Sequence, residues 1–126
     1  DYESKGVAVV AINANDIAAY PDDNMDNMQR EVVEAGYIFP YLLDETQSVA
    51  LAYDAACTPD FYLFDENRVL IYRGQMDSSR PGNDIPVTGA DLRKAMDAAL
   101  AGEAISQAQI PSVGCNIKWK PGNAPN

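Results

Sequence analysis

At 126 residues and 47% hydrophobic content, the chain is long enough for one domain with a real core, and no apolar run approaches membrane-spanning length. Its 19 acidic and 9 basic residues give a net charge of −10, which argues against nucleic acid or anionic membranes as partners, because both require a basic surface. No histidine is present, so histidine-ligated zinc and serine–histidine hydrolysis are set aside, and two cysteines far apart in sequence make neither a zinc motif nor a disulfide scaffold.

The chain opens on Asp1-Tyr2-Glu3-Ser4-Lys5, a charged stretch without signal-peptide pattern, so a cytoplasmic location is expected. Asp1 stands where Met would begin a translated chain, and an upstream segment is expected. Residues 6–13 form a continuous apolar, β-branched run, the pattern of a strand buried on both faces in a parallel sheet. A polar segment containing Tyr20-Pro21 follows as a loop. From about Asp23 to Ala35, Met25, Met28, Val32 and Ala35 recur at helical spacing, and Gly36 is placed to stop the helix. The group Asp22-Asp23-Asn24-Asp26 lacks the glycine and distal glutamate of a calcium loop and reads as a solvated helix start.

Residues 37–43 make a short extended stretch broken by Pro40, peripheral in the sheet. Asp44 with Gln47 three residues on predicts a capping box for a short helix carrying Val49, Ala50 and Tyr53. Next comes Cys57-Thr58-Pro59. Proline cannot donate to a sheet ladder and biases its predecessor toward extended geometry, so Pro59 marks the start of a strand over residues 61–64. Asp65-Glu66-Asn67 is the turn and residues 69–72 the returning strand, a β-hairpin. Residues 74–88 are a long Gly-, Pro-, Ser- and Asp-rich loop of the functional or mobile kind. Thr88 can cap a helix over residues 89–101, with Gly102 beyond it. The expected division is a domain over residues 1–102 and a tail, 103–126, that packs back on it through Ile117 and the indole of Trp119. This order predicts an α/β fold, a mixed sheet with flanking helices. The first strand is too apolar for an edge, yet nothing in the chain obviously flanks it on both sides.

Several strings make the chain resemble the thioredoxin-like superfamily. The resemblance is nearest to a peroxiredoxin-like branch related to alkyl hydroperoxide reductase and thiol-specific antioxidant proteins. Those strings are residues 5–13, 39–47 and 57–61, then Tyr72-Arg73-Gly74-Gln75, Ser79-Arg80-Pro81-Gly82-Asn83, and Gly114-Cys115-Asn116-Ile117-Lys118-Trp119-Lys120-Pro121-Gly122. The resemblance implies a thioredoxin-like sheet whose N-terminal strand and cysteine-bearing helix are missing here. It also implies that Thr58-Pro59 is a cis-proline loop facing a reactive thiol, with the Thr58 backbone pairing a bound substrate or partner peptide.

Cys57 has two readings, a small packed loop residue or an accessory thiol beside the reactive centre. Cys115 is a possible resolving thiol, and a Cys57–Cys115 disulfide cannot be deduced from spacing. Arg73 and Arg80 can offer positive charge to a thiolate or peroxide, or bridge to surface carboxylates. The function implied is thiol-dependent peroxide reduction or thiol–disulfide exchange, in a piece expected to be inactive alone. The alternative is a non-catalytic module that binds a protein through Thr58-Pro59 and the tail. Expected partners are a protein or small-molecule thiol reductant, a peroxide, and a complementing N-terminal segment or a second copy. No metal or cofactor is called for.

Overall fold

The computed structural model describes residues 1–125. They form two compact units: Asp1–Ala56 together with the chain from Asn116 onward, and Cys57–Cys115.

In the first unit, β1 (Ala11–Asn13) and β2 (Tyr41–Leu43) pair in parallel, Ala11 opposite Tyr41 and Ile12 opposite Leu42, with α1 (Met25–Ala35) in the crossover between them. The Asn24 side chain accepts from the Asn27 N–H, a cap contributing about 1 kcal/mol, and the helix ends at Gly36. Met28 is the buried residue of α1, and its Sδ accepts from the Asn13 side chain at 3.4 Å. Asn13 also donates to the Asp23 carbonyl at 2.8 Å, so the end of β1 is tied to the approach to α1.

The first strand departs from expectation. The run over residues 6–13 predicts a long strand buried on both faces, whereas only Ala11–Asn13 is strand. Ile12 is 44% exposed and its partner Leu42 50% exposed, on the same face. Among the described residues β1 has β2 alone as a neighbour, so one edge of β1 carries no strand. A run of Val and Ile states what the side chains prefer, not that a covering layer is present.

Asp44 and Gln47 also depart from the predicted capping box. The short helix α2 is Ser48–Ala52, preceded by Gln47 in the left-handed region at φ 65°. Gln47 is fully buried, and its amide turns away from the helix. Its Nε2 donates to the carbonyls of Ala14 (2.7 Å) and Lys118 (3.0 Å). Its Oε1 accepts from the Lys120 N–H (3.0 Å) and from the Asn123 side chain (2.9 Å). Four partners fill the hydrogen-bonding capacity of a primary amide. The Asp44 carboxylate takes on the start of the helix, accepting from the Ala50 N–H at 2.9 Å. The segment after Asn116 is held here by backbone and by the buried Ile117, while Trp119 is half-buried, so Ile117 rather than the indole is the deeper anchor.

The second unit is built on the predicted hairpin. β3 (Phe61–Phe64) and β4 (Leu70–Gly74) pair antiparallel, Phe61 opposite Gly74 and Leu63 opposite Tyr72, with a bulge between Leu63 and Phe64. Asp65 organises the turn by accepting from the N–H groups of Asn67 and Val69 at 2.8 and 3.0 Å. On the other edge of β4, the Gln109 side chain stands in for a strand residue. Its Oε1 accepts from the Arg73 N–H at 3.0 Å and its Nε2 donates to the Ile71 carbonyl at 3.1 Å. The Gln75 N–H donates to the Ile110 carbonyl and the Ser112 hydroxyl to the Gly74 carbonyl, extending that cover.

Helix α3 (Ala90–Leu100) begins one residue later than Thr88 predicts, with Gly89, which has no side chain to cap it, at φ 71° in the cap position. The first-turn N–H groups find partners in the preceding loop instead: Asp91 and Leu92 donate to the Met76 carbonyl at 3.1 Å and Ala90 to the Thr88 hydroxyl at 3.3 Å. The Asp77 carboxylate holds the approach to the helix, accepting from the N–H groups of Ser79 (3.0 Å), Thr88 (2.9 Å) and Gly89 (2.8 Å). Loop residues 74–88 are therefore fastened at one end by Asp77 and at the other by Arg80, whose guanidinium donates to the Gln75 side chain and to the Asp77 and Ser79 carbonyls.

Two stability predictions follow from these anchors. Gln47→Ala strands buried partners in the Asp1–Ala56 unit and is expected to lose about 3 kcal/mol in a urea titration, on a cost of about 1–3 kcal/mol per unsatisfied group. Hydrogen bonds from Gly89, Ser79 and Thr88, with the nearby Arg80 charge, hold the Asp77 carboxyl below its usual range. A depressed folded-state pKa stabilises above the unfolded value and is lost as pH falls through the folded one. Asp77→Asn is thus expected to be less stable at neutral pH and to show a flatter stability profile below about pH 4, measured by denaturant midpoints across the acid range.

Candidate functional site

The two predicted thiol positions and the Thr-Pro step meet in the Cys57–Cys115 unit. The Thr58–Pro59 peptide bond is cis. Thr58 forms an isolated antiparallel bridge with Cys115, its N–H donating to the Cys115 carbonyl at 2.8 Å. Its hydroxyl donates to the same oxygen at 3.1 Å. Gly114 lies so close to Thr58 that a Cβ there would collide with the Thr58 carbonyl oxygen and carbon. Only glycine fits that approach without displacing one of the two segments.

Both thiols are free, Cys57 buried and Cys115 exposed. Directly opposed residues of an antiparallel bridge share a face, and successive side chains of an extended segment alternate. Cys115 therefore shares a face with Thr58, while Cys57 lies in the bend just before the bridge.

Cys57 Sγ donates only weakly, to the Pro59 carbonyl at 3.6 Å. Burial pushes its thiol pKa up, the Asp60 carboxylate pushes it further, and the Arg73 charge works against both. Asp60 itself is held in place: its side chain is 6% exposed, bridged to Arg73 at 3.2 Å and accepting from the Tyr62 hydroxyl at 3.1 Å. The Arg73 guanidinium also lies 5.1 Å from the centre of the Tyr62 ring. Arg73 thus sits beside the Cys57 loop with its charge shared with Asp60. Arg80 is bound to Gln75 and to loop carbonyls and shapes the loop over residues 74–88.

An open cavity of about 430 Å³ borders β4, lined by Leu70, Arg73, Glu103, Ile105 and Gln109 among others, and neither Cys57 nor Thr58 lines it. Asp60 and Gln109, which sequence reasoning missed, act through contacts 13 and 36 residues distant, beyond any local motif. Asp60 carried the one available signal, a carboxylate directly after the Thr-Pro step. Among the described residues no group of three or more Cys, Asp or Glu is arranged to hold a metal. No helix is long and apolar enough to cross a membrane among those residues.

Residues 1–92 match the Redoxin family. Among solved structures, the chain is similar to the crystal structure of a hypothetical protein from Sinorhizobium meliloti 1021, with 56% identity and a TM-score of 0.95 over 97% of this chain and 67% of that one. It is similar also to the crystal structure of an uncharacterized conserved protein from Geobacillus kaustophilus, with 59% identity and a TM-score of 0.95 over 97% of this chain and 65% of that one. The chain thus spans about two thirds of the length of these structures. No curated protein matches it.

The burial of Cys57 and the exposure of Cys115 predict an order of modification. With iodoacetamide at pH 7, Cys115 is expected to label in the folded protein while Cys57 labels only on unfolding or at alkaline pH, read by peptide mass spectrometry. Equal labelling of both thiols in the folded state would contradict the geometry.

Proposed function

This chain belongs to the Redoxin family, and on that premise we propose that it takes part in thiol-dependent redox chemistry of the thioredoxin or peroxiredoxin kind. The Cys57–Pro59 loop serves as the platform for the partner, and a reactive thiol outside these 126 residues carries the first step. The observation that carries this reading is the Thr58–Cys115 bridge beside a buried Cys57. Thr58 is held in place by that bridge, and burial together with the Asp60 charge raises the pKa of the neighbouring Cys57 thiol. A thiolate, not a thiol, is the nucleophile, so the raised pKa of Cys57 makes it a poor attacking group.

In the peroxide version, the reactive thiolate attacks one peroxide oxygen. An S–O bond forms, the O–O bond breaks, and the leaving oxygen departs as alkoxide or hydroxide and takes up a proton. A second thiol then attacks the sulfenic acid, forming a disulfide and releasing water. In the exchange version, the thiolate attacks a substrate disulfide and the second thiol releases the mixed disulfide. Exposed and held at Thr58, Cys115 is the better placed of the two cysteines to be that second thiol. A binding-only role finds support in the same burial of Cys57, which keeps that thiol from attacking while Thr58 can still pair with a partner.

Peroxide consumption driven by dithiothreitol, and insulin reduction, test the reading on this chain and on a version extended to the length of its relatives. The chain alone is expected to be inactive and the extended protein active, with Cys115→Ser slowing the resolving step at least tenfold. Turnover by the 126-residue chain that is abolished by Cys57→Ser would overturn the assignment. Inactivity of both versions would leave the binding-only role.

A further inference from the structure

The bridge at Thr58 is a single residue pair, made by a segment otherwise open to solvent. Val113 is 64% exposed, and Gly114 and Cys115 are exposed as well. One carbonyl, that of Cys115, takes both donors of Thr58, its N–H and its hydroxyl. The residue before it, Gly114, is pressed against the Thr58 carbonyl where no side chain can stand. Among the described residues, the segment over residues 111–115 lies in no helix or named strand, and beyond these contacts the Ser112 hydroxyl bond to Gly74 holds it.

We propose that residues 113–115 are an internal occupant of a peptide-pairing position on Thr58, and that partners entering there are extended segments with glycine immediately before the pairing residue. This rests on the reading of the Cys57–Pro59 loop as a partner platform and adds who fits it and what must leave. A partner strand presents one carbonyl to the N–H and hydroxyl of Thr58, and the chain's own Cys115 gives up that place. The selectivity is steric. A residue larger than glycine at the preceding position brings its Cβ onto the Thr58 carbonyl, and the bridge cannot close. The chain's charge of −10 adds a bias toward basic segments.

The test uses this chain, its Gly114→Val variant, and two synthetic peptides of residues 110–118. Both peptides carry Cys115→Ser to remove thiol chemistry, and one also carries Gly114→Val. In the variant, the internal segment is displaced and the Thr58 amide is expected to exchange with solvent at least tenfold faster than in the parent chain, read by NMR. The glycine peptide is expected to bind the variant at least tenfold tighter than the parent chain, restoring protection at Thr58, while the valine peptide binds neither. Equal binding of the glycine peptide to both proteins, equal binding of the two peptides, or no binding at all would overturn the proposal.

Should circular dichroism show the variant unfolded, the parent chain still decides. Its Thr58 amide must exchange faster than the amides of the β3–β4 ladder, and exchange as slow as theirs would mean that the position does not open. Peptide binding is read without redox turnover. Failure of the peroxide and insulin assays therefore leaves the pairing inference standing, and failure here leaves the redox reading untouched.

Discussion

The Asp1–Ala56 unit depends on a single primary amide. Gln47 is fully buried, and its four hydrogen bonds join the loop after β1, the lead into α2 and the segment over residues 118–123, which lie more than 70 positions apart in sequence at the extreme. The hydrophobic residues around it cannot supply that specificity, because apolar burial is non-directional. A buried amide with all its capacity filled behaves differently: any other arrangement of those segments leaves at least one polar group without a partner. The unit's apolar core is small, with Met28, Ala50 and Ile117 its buried hydrophobic members. Such a unit relies on directional contacts to define one structure where a larger core would rely on packing.

The Cys57–Cys115 unit uses the same device with charged groups. Asp77 accepts from Thr88 and Gly89 where the chain turns into α3 and from Ser79 in its own loop, and Asp60 anchors Arg73 and Tyr62 next to the Thr58–Pro59 step. Asp60 therefore has two roles that pull in different directions. It fixes Arg73, which favours the Cys57 thiolate, and its own charge disfavours that thiolate. With burial added, the balance raises the Cys57 pKa and favours the protonated thiol.

How much of this was legible depended on the range of the interaction. The hairpin over residues 61–74, the helix ending at Gly36 and the Thr-Pro step were readable because their signals are local: turn residues, periodicity and a proline before an aromatic run. The strand over residues 6–13 was overread, because its composition registers affinity for burial and cannot register how many neighbours the strand has. Gln47 was misread for the opposite reason. Its spacing from Asp44 fits a capping box, and a local motif outweighed partners at Lys118, Lys120 and Asn123 that no local pattern encodes. At the candidate site, the residue types were visible, but the pairing of Thr58 with Cys115, and hence the reason for Gly114, was not.

The Gln109 amide has a consequence for behaviour in concentrated solution. A hairpin edge normally displays unpaired N–H and C=O groups, a template on which a second molecule can add a strand and begin aggregation. On β4 those groups at Ile71 and Arg73 already face a side chain that imitates a peptide unit while ending the row, since an amide side chain has no further backbone to offer. The exposed Val69 and Leu70 beside it would otherwise make this edge adhesive. One glutamine thereby gives the hairpin the finish of a third strand without creating a new edge.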